Sequence, residues 1–368
     1  MSIGELHQYA TTENVPFVRA IRFVPSDMKR NLPPEFIHAL DTTTPLAADN
    51  LRKAIHELSL LYQYHFNLSL PPLNSPLLLT KYIRDLALPL NVYPAARGIA
   101  QFLDIDFCFP LPRGIQYVSR LPEIALVGLI VVSVKLLHPF TSQKQYVKNE
   151  EEISIVGFDW NVWLKAQQDH QSRLTDKEHL SRGSEIHVTD EDAMEMTNEQ
   201  VNDYLDWFER TWVDEERAEQ KPRGVPMELL DMFPTGRQDG SQARPYSFKA
   251  EAEKERRSKL RQVQDTMSNL QVRCIQGPDD ESVELEGLRP VGSLYRRYRS
   301  VEELTAHARA FHEAVAELAA IKIETLLTAV MQIESRLMAR REEKLKINDE
   351  EDRASPNDTD RQESDSEI

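Results

Sequence analysis

The sequence predicts an all-α protein, and three observations carry the prediction. The most apolar stretch, LPEIALVGLIVVSVKLLHPF at 121–140, is bracketed by prolines as a helix would be. Several other segments repeat their apolar residues at intervals of three and four, the period of a helix face. No segment couples an alternating apolar and polar run to a hairpin turn signal.

Taken alone, 121–140 suits a membrane span, a buried strand or a helix buried on all sides. Length excludes the span: a bilayer core is about 30 Å thick and a helix rises about 1.5 Å per residue, so Ile124 to Leu137 covers only about 21 Å, with Lys135 inside it. Strands usually run about 5 or 6 residues. Pro122, by contrast, fits a first helical turn, where its missing N–H is not needed, and Pro139 stops a helix after His138. Ser133 is the only polar residue from Ile124 to Val134, so this helix has no solvent face and must be wrapped by others. Lys135 is expected to lay its stem on apolar surface and carry its ammonium to water.

The remaining elements follow in order. DNLRKAIHELSLLYQYHF (49–66) places Leu51, Ile55, Leu58, Leu61, Tyr62 and Phe66 on one helical face. SPLLLTKYIRDLAL (75–88) starts with Ser75 as N-cap and Pro76 at the first helical position, and YPAARGIAQFLD (93–104) is a shorter helix entered through Pro94. From Thr141 to Met196 the chain turns polar, apart from FDWNVWLKAQ (158–167), and is expected to be a long exposed insertion. In TNEQVNDYLDWFERTWV, Thr197 and Gln200 form a capping box, and Val201, Tyr204, Leu205, Phe208, Trp212 and Val213 form a stripe expected to be core. A helical block at about 249–272 carries Leu260, Val263, Met267 and Leu270. A last block opens with a Ser300/Glu303 capping box and continues through Phe311, Val315, Leu326, Leu327, Val330 and Leu337.

Charge is unevenly placed. Of 44 Lys/Arg and 60 Asp/Glu, the first 140 residues hold 12 and 11 and the remainder 32 and 49, so the net charge of −16 lies in the second half. Asp349–Ile368 holds nine acidic and two basic residues with almost no apolar side chains, which predicts a disordered tail. Ser355 and Ser364 each precede an acidic residue by three places, a pattern suited to an acidophilic kinase. No secretory signal is visible, and two distant cysteines, Cys108 and Cys274, cannot form a zinc site, which needs four ligands at short spacings.

No catalytic constellation is found. His307 and His312 are five apart, which separates their faces on a helix, and His7, His38, His56 and His65 stand singly. No metalloprotease, phosphate-loop or nucleophile-elbow motif occurs, and the pair Asp104/Asp106 is explained by solvation at a helix exit. An enzyme is therefore not expected. Two basic clusters remain as candidate phosphate contacts, KERRSKLR with Arg256 and Arg257, and YRRYR with Arg296, Arg297 and Arg299. Glu251, Glu253 and Glu255 interleave with the first, as on a solvated helix face. For the second, two readings stand: the arginines meet nucleic acid, or the tyrosines pack while the arginines pair with the acidic segment 279–286.

Taken together, IGELHQYATTENVPFVRAIRFVP, PPLNSPLLLTKYIRDLALPLNVYPAA, LPEIALVGLIVVSVKLLHPF and GSLYRRYRSVEELTAHARAFHEA, in that order, resemble the TFIIB-related subunit of the fungal RNA polymerase I core factor. The resemblance implies a cyclin-like five-helix repeat whose third helix is central, with additional C-terminal helices. It maps 1–30 to the remnant of a first repeat, 31–215 to the second with a polar insertion at 141–196, 216–345 to a C-terminal helical region and 346–368 to the acidic tail. Members of that family begin with a zinc ribbon and a complete first repeat. Neither is found here, so the chain is expected to be N-terminally truncated, and zinc, expected only for the missing ribbon, is not expected as a cofactor. The implied partners are other core factor subunits, RNA polymerase I, the TATA-binding protein and, within the complex, the ribosomal DNA promoter; no membrane is implied. The implied location is the nucleus and nucleolus. The rival reading is a helical protein-interaction scaffold unrelated to transcription.

Overall fold

The computed structural model describes residues 2–68, 70–109, 121–141, 145–146, 158–174, 179–180, 183–212, 260–261, 263, 289–290 and 292–354. In chain order its α-helices are α1 (Ile3–Thr11), α2 (Ser26–Asn31), α3 (Pro34–Leu40), α4 (Ala48–Phe66), α5 (Ser75–Asp85), α6 (Val92–Phe102), α7 (Pro122–Leu137), α8 (Trp160–Leu174), α9 (Asp190–Glu195), α10 (Asn198–Trp212), α11 (Ala306–Leu318) and α12 (Ile323–Ala354). Among the described residues the only strands are Gln145–Tyr146 and Arg289–Pro290, a two-residue parallel pair with Gln145 opposite Arg289. The all-α expectation holds. The helices fall into two units, one from Met1–Ala54 and Trp160–Ser268, the other from Ile55–Asp159 and Asn269–Ile368. Of the helices within the 31–215 span, α5, α6 and α7 lie in the second unit and α8 and α10 in the first.

In the second unit α7 forms as its residues dictate. Leu121 is the N-cap residue, Pro122 opens the first turn, and the helix stops at Leu137, before Pro139. Every residue from Pro122 to Lys135 is buried. Helices α12, α6 and α5 pack against α7, so the apolar rod is wrapped on all sides. Each buried Leu, Ile or Val stabilises the fold by about 1.5–3 kcal/mol. Gly128 sets how near α12 can come: a Cβ there would lie 2.6 Å from Ile333 Cδ1. Ser133, the polar exception, is satisfied within its own helix by donating to the Leu129 carbonyl at 2.7 Å. No helix of the described residues is long and apolar enough to cross a membrane.

Three helices of this unit end in the same device without glycine. After α5, Ala87 is left-handed (φ 52°), with Ala87 N donating to Arg84 O and Leu88 N to Ile83 O. After α6, Asp104 (φ 54°) and Ile105 repeat the pattern onto Gln101 O and Ala100 O. After α11, Ala320 (φ 50°) and Ile321 bond to Glu317 O and Ala316 O. These are Schellman caps, which satisfy the last carbonyls of a helix. They end α5 and α6 two or three residues before the expected limits, and they split the last helical block into α11 and α12.

Several other boundaries are corrected. The N-cap of α5 is Asn74, whose side chain accepts from Leu77 N at 3.4 Å, so Ser75 and Pro76 both lie inside the first turn. Ser300 makes no side-chain cap: Val301–Glu303 is a single 3₁₀ turn, and the cap of α11 is Thr305, accepting from Ala308 N at 3.4 Å. The Thr197/Gln200 box is present, with bonds of 3.0 and 3.3 Å. The polar insertion contains a 3₁₀ turn at Glu185–His187 and α9 with its own Thr189/Asp192 box. Helix α12 runs through Ala354, so the first residues of the expected disordered tail are helical; residues 355–368, and most of the block expected at 249–272, lie outside the described residues.

In the first unit the N-terminal segment closes onto α10. Ser2 and Glu5 form a capping box on α1. Trp207 Nε1 donates to Glu13 Oε1 at 2.8 Å, and Arg19 Nη1 donates to the Thr211 and Trp212 carbonyls at 3.3 and 3.0 Å while its guanidinium lies 5.6 Å over the Trp212 ring. These contacts turn Trp207 and Thr211 inward. Val201, Leu205 and Phe208, expected in the core, are consequently exposed. On the part of α4 that belongs to the second unit, Leu58, Leu61, Tyr62 and Phe66 of the apolar face are exposed.

Candidate nucleic-acid interface

The YRRYR segment leaves a turn at Gly292, whose φ of 79° is open to glycine at no steric cost and whose carbonyl accepts from Tyr295 N at 3.2 Å. Residues 295–299 then run without regular structure to the 3₁₀ turn. Their side chains alternate in role. Tyr298 is buried and Tyr295 half-buried, while Arg296, Arg297 and Arg299 are exposed.

Beneath the segment lies a buried ion pair. Lys135 Nζ of α7 is 2.5 Å from Glu334 Oε1 of α12, with side chains only 2% and 3% exposed. Lys135 therefore does not reach water as expected: α12 and the 295–299 segment cover the end of α7, and the ammonium meets a carboxylate there instead. Glu334 has two more partners. Tyr295 Oη donates to Oε1, and Arg297 Nε donates to Oε2 at 3.1 Å. Arg297 Nη2 also donates to Ser335 Oγ at 3.3 Å. The Lys135 ammonium lies 4.6 Å from the Tyr295 ring centroid and 5.0 Å from that of Tyr298, an arrangement in which the ring faces attract the cation.

Burial sets the protonation states around this centre. It pushes the Lys135 ammonium below its usual pKa, opposed by the Glu334 carboxylate and its hydrogen bond. It raises the Tyr295 phenol, with the Glu334 charge adding to the rise, so Tyr295 stays a donor. Tyr298 is also raised by burial. His312 stands edge-on to Tyr298 with centroids 6.2 Å apart, and its Nδ1 lies 2.6 Å from the Ala308 carbonyl. Burial pushes His312 down to about 4, so it is neutral near pH 7.

The predicted site residues are thus placed unequally. Arg297 is half exposed but held by Glu334 and Ser335. Arg296 lies over the Tyr298 ring at 5.8 Å, and Arg299 binds Glu303 only through its backbone N–H. Among the described residues neither Arg296 nor Arg299 has an ion pair. The tyrosines pack and one arginine pairs, but with Glu334; the 279–286 segment, Arg256 and Arg257 lie outside the described residues. Glu334 and Lys135 did not figure among the predicted site residues. The signal for Glu334 is a single carboxylate at the apolar spacing of Val330 and Leu337. Among the described residues no group of His, Cys, Asp and Glu is arranged to hold a metal ion.

A wholly buried central helix within an all-α array is the architecture of a cyclin-like domain, and residues 44–212 match the family described as Rrn7/TAF1B, C-terminal cyclin domain. That match spans a little under half of the chain, and it agrees with the TFIIB-related group that the four segments resemble. It is 20% identical over 247 residues to the RNA polymerase I-specific transcription initiation factor rrn7 of Schizosaccharomyces pombe, a match covering 64% of this chain and 44% of that relative. The chain thus matches less than half the length of this curated relative. Its fold is similar to that of a chain in the crystal structure of the S. cerevisiae core factor, with a TM-score of 0.52 and 12% identity over 93% of this chain and 78% of that one. Neither likeness favours a scaffold unrelated to transcription.

Proposed function

We propose that this chain is a non-enzymatic initiation-factor subunit for RNA polymerase I, which assembles with other core factor subunits on the ribosomal DNA promoter and helps recruit the polymerase in the nucleus and nucleolus. The match of residues 44–212 to the C-terminal cyclin domain of the Rrn7/TAF1B family carries this reading. The exposed apolar residues along one face of α4 (Leu58, Leu61, Tyr62, Phe66) and, in the other unit, along α10 (Val201, Leu205, Phe208) support it, since each offers apolar side chains that a partner can cover. Other core factor subunits, the polymerase and the TATA-binding protein are the proposed partners. Arg296 and Arg299 are proposed to contact DNA phosphates, which positions the protein without reading bases. Arg256 and Arg257 remain further proposed contacts.

The net charge of −16 opposes tight binding of DNA by the chain alone, so the contact belongs to the assembled complex. Titration of the purified chain with promoter duplex at low and high salt is the direct test. Weak binding that disappears with salt is expected, with the log–log salt slope reduced by about two in Arg296→Ala/Arg299→Ala. Sub-micromolar, salt-insensitive binding would contradict the reading. So would failure to recover core factor subunits with the chain from a nuclear extract of its native source.

A further inference from the structure

We propose that the buried Lys135–Glu334 pair positions the nucleic-acid interface, holding residues 295–299 in the one register that turns Arg296 and Arg299 outward toward a phosphodiester backbone. The proposal rests on the phosphate-contact reading above for its functional half, and on the geometry alone for its structural half.

Stability does not account for the pair. Removing two charges from water costs several kcal/mol per ion, and apolar residues of similar volume in place of a buried pair are often neutral or stabilising. The best-attested use of such buried polarity is to fix register. Here the valences left over by the pair all go to one short segment. Tyr295 donates its hydroxyl to Glu334 Oε1, Arg297 its Nε to Oε2, and Tyr295 and Tyr298 turn their rings to the Lys135 ammonium. Three of five consecutive residues are therefore tied to one ion pair whose members come from α7 and α12. A slip of one residue would set Arg296 or Arg299 over the ammonium and aim a tyrosine at solvent, losing these contacts together. The two arginines without ion pairs among the described residues are those that the anchoring leaves facing out. A guanidinium offers the planar fork that a phosphodiester oxygen pair accepts, and holding it in place beforehand lowers the ordering cost of binding.

The test uses the full chain with Lys135→Met/Glu334→Leu, compared with Arg296→Ala/Arg299→Ala. Three readouts are taken: thermal unfolding, amide hydrogen exchange through 293–299, and duplex DNA affinity across a salt series. The apolar pair is expected to melt cooperatively near or above the parent, to speed exchange at 293–299 by about tenfold, and to weaken DNA binding by about tenfold with the salt slope unchanged, because every phosphate-facing arginine is retained. A merely structural role predicts no such split between affinity and slope. Unchanged exchange at 293–299 in a folded Lys135→Met/Glu334→Leu protein overturns the proposal whatever the DNA does. Equal DNA affinity and slope in Arg296→Ala/Arg299→Ala instead overturns the phosphate reading, while the exchange result still decides the positioning. Should the apolar pair not fold, Tyr295→Phe/Arg297→Ala leaves the ion pair in place and carries the same exchange test, with unchanged exchange again the overturning result.

Discussion

Gly128→Ala sets two effects of opposite sign against each other where α7 and α12 come close in the core. Alanine is favoured over glycine inside a helix by about 1 kcal/mol, and α7 is helical on both sides of this position. Against that, the new Cβ would stand 2.6 Å from Ile333 Cδ1, and Ile333 is fully buried. Ordinary contact begins near 3.4 Å, so the methyl must move by most of an ångström inside a close-packed core. Overpacking of this kind costs about 1–3 kcal/mol. The clash wins, and the net loss is about 0–2 kcal/mol. In an Ile333→Val background the offending methyl is gone, at a cost of about 0.5–1.5 kcal/mol for the deletion itself. There Gly128→Ala should turn stabilising by about 1 kcal/mol. A double-mutant cycle read by urea unfolding measures the change of sign. The same effect of Gly128→Ala in both backgrounds would refute the reasoning.

Three further predictions follow from the same unit. Leu129→Asp places an unpaired charge in a site 1% exposed, at a cost of several kcal/mol against a typical total of about 5–15; a soluble, cooperatively melting variant would count against full burial of α7. His138 and His312 are both pushed by burial from 6.5 to about 4, with the Lys135 charge opposing protonation of His312 and Glu334 favouring it. The unfolded state therefore binds more protons between these values: stability is full above about pH 6.5, falls with pH down to about 4 by on the order of 3 kcal/mol per histidine, and is level below. Equal urea midpoints at pH 7.5 and pH 5 would exclude this, and His312→Phe should remove part of the slope. Ala320→Gly relieves a left-handed alanine at the α11 cap and should raise the thermal midpoint by an amount worth about 0.5–1 kcal/mol; a lowered midpoint would argue against the cap geometry.

The apolar rod is legible in the sequence because a helix buried on every face leaves no room for periodicity: apolar residues simply fill all positions between two prolines. The split at Ala319–Lys322 is not legible. Its cap uses an alanine where glycine is the usual signal, and the apolar spacing runs on through it, so 300–337 looks continuous. Helices α4 and α10 fail for a different reason. An apolar stripe shows that a face avoids water but not what covers it; in α10 the hydrogen bond from Trp207 to Glu13 sets the rotation, and its partner lies far away in sequence. The tyrosines of YRRYR show the same limit, since their packing depends on Lys135, which local reading sends to solvent.

Lys135 and Glu334 each sit among apolar residues of their own helix, Lys135 after Val134 and Glu334 at the spacing of Val330 and Leu337, and read separately each has an innocuous explanation in snorkelling or solvation. Read as a pair they could have been matched, since burial of either alone would be costly enough to demand the other. Their pairing also changes what the surface above them is. Two cations, Lys135 and Arg297, share one carboxylate, so Arg296 and Arg299 stand over a local excess of positive charge in a chain whose net charge is −16. At physiological ionic strength exposed charges are screened beyond about 8 Å. The acidic residues elsewhere then limit how strongly the whole chain is drawn to DNA from a distance, whereas the local excess decides where a phosphate settles once partners have brought the duplex close. The two scales act at different steps, and that division is why an acidic protein can carry a phosphate contact that works only within an assembly.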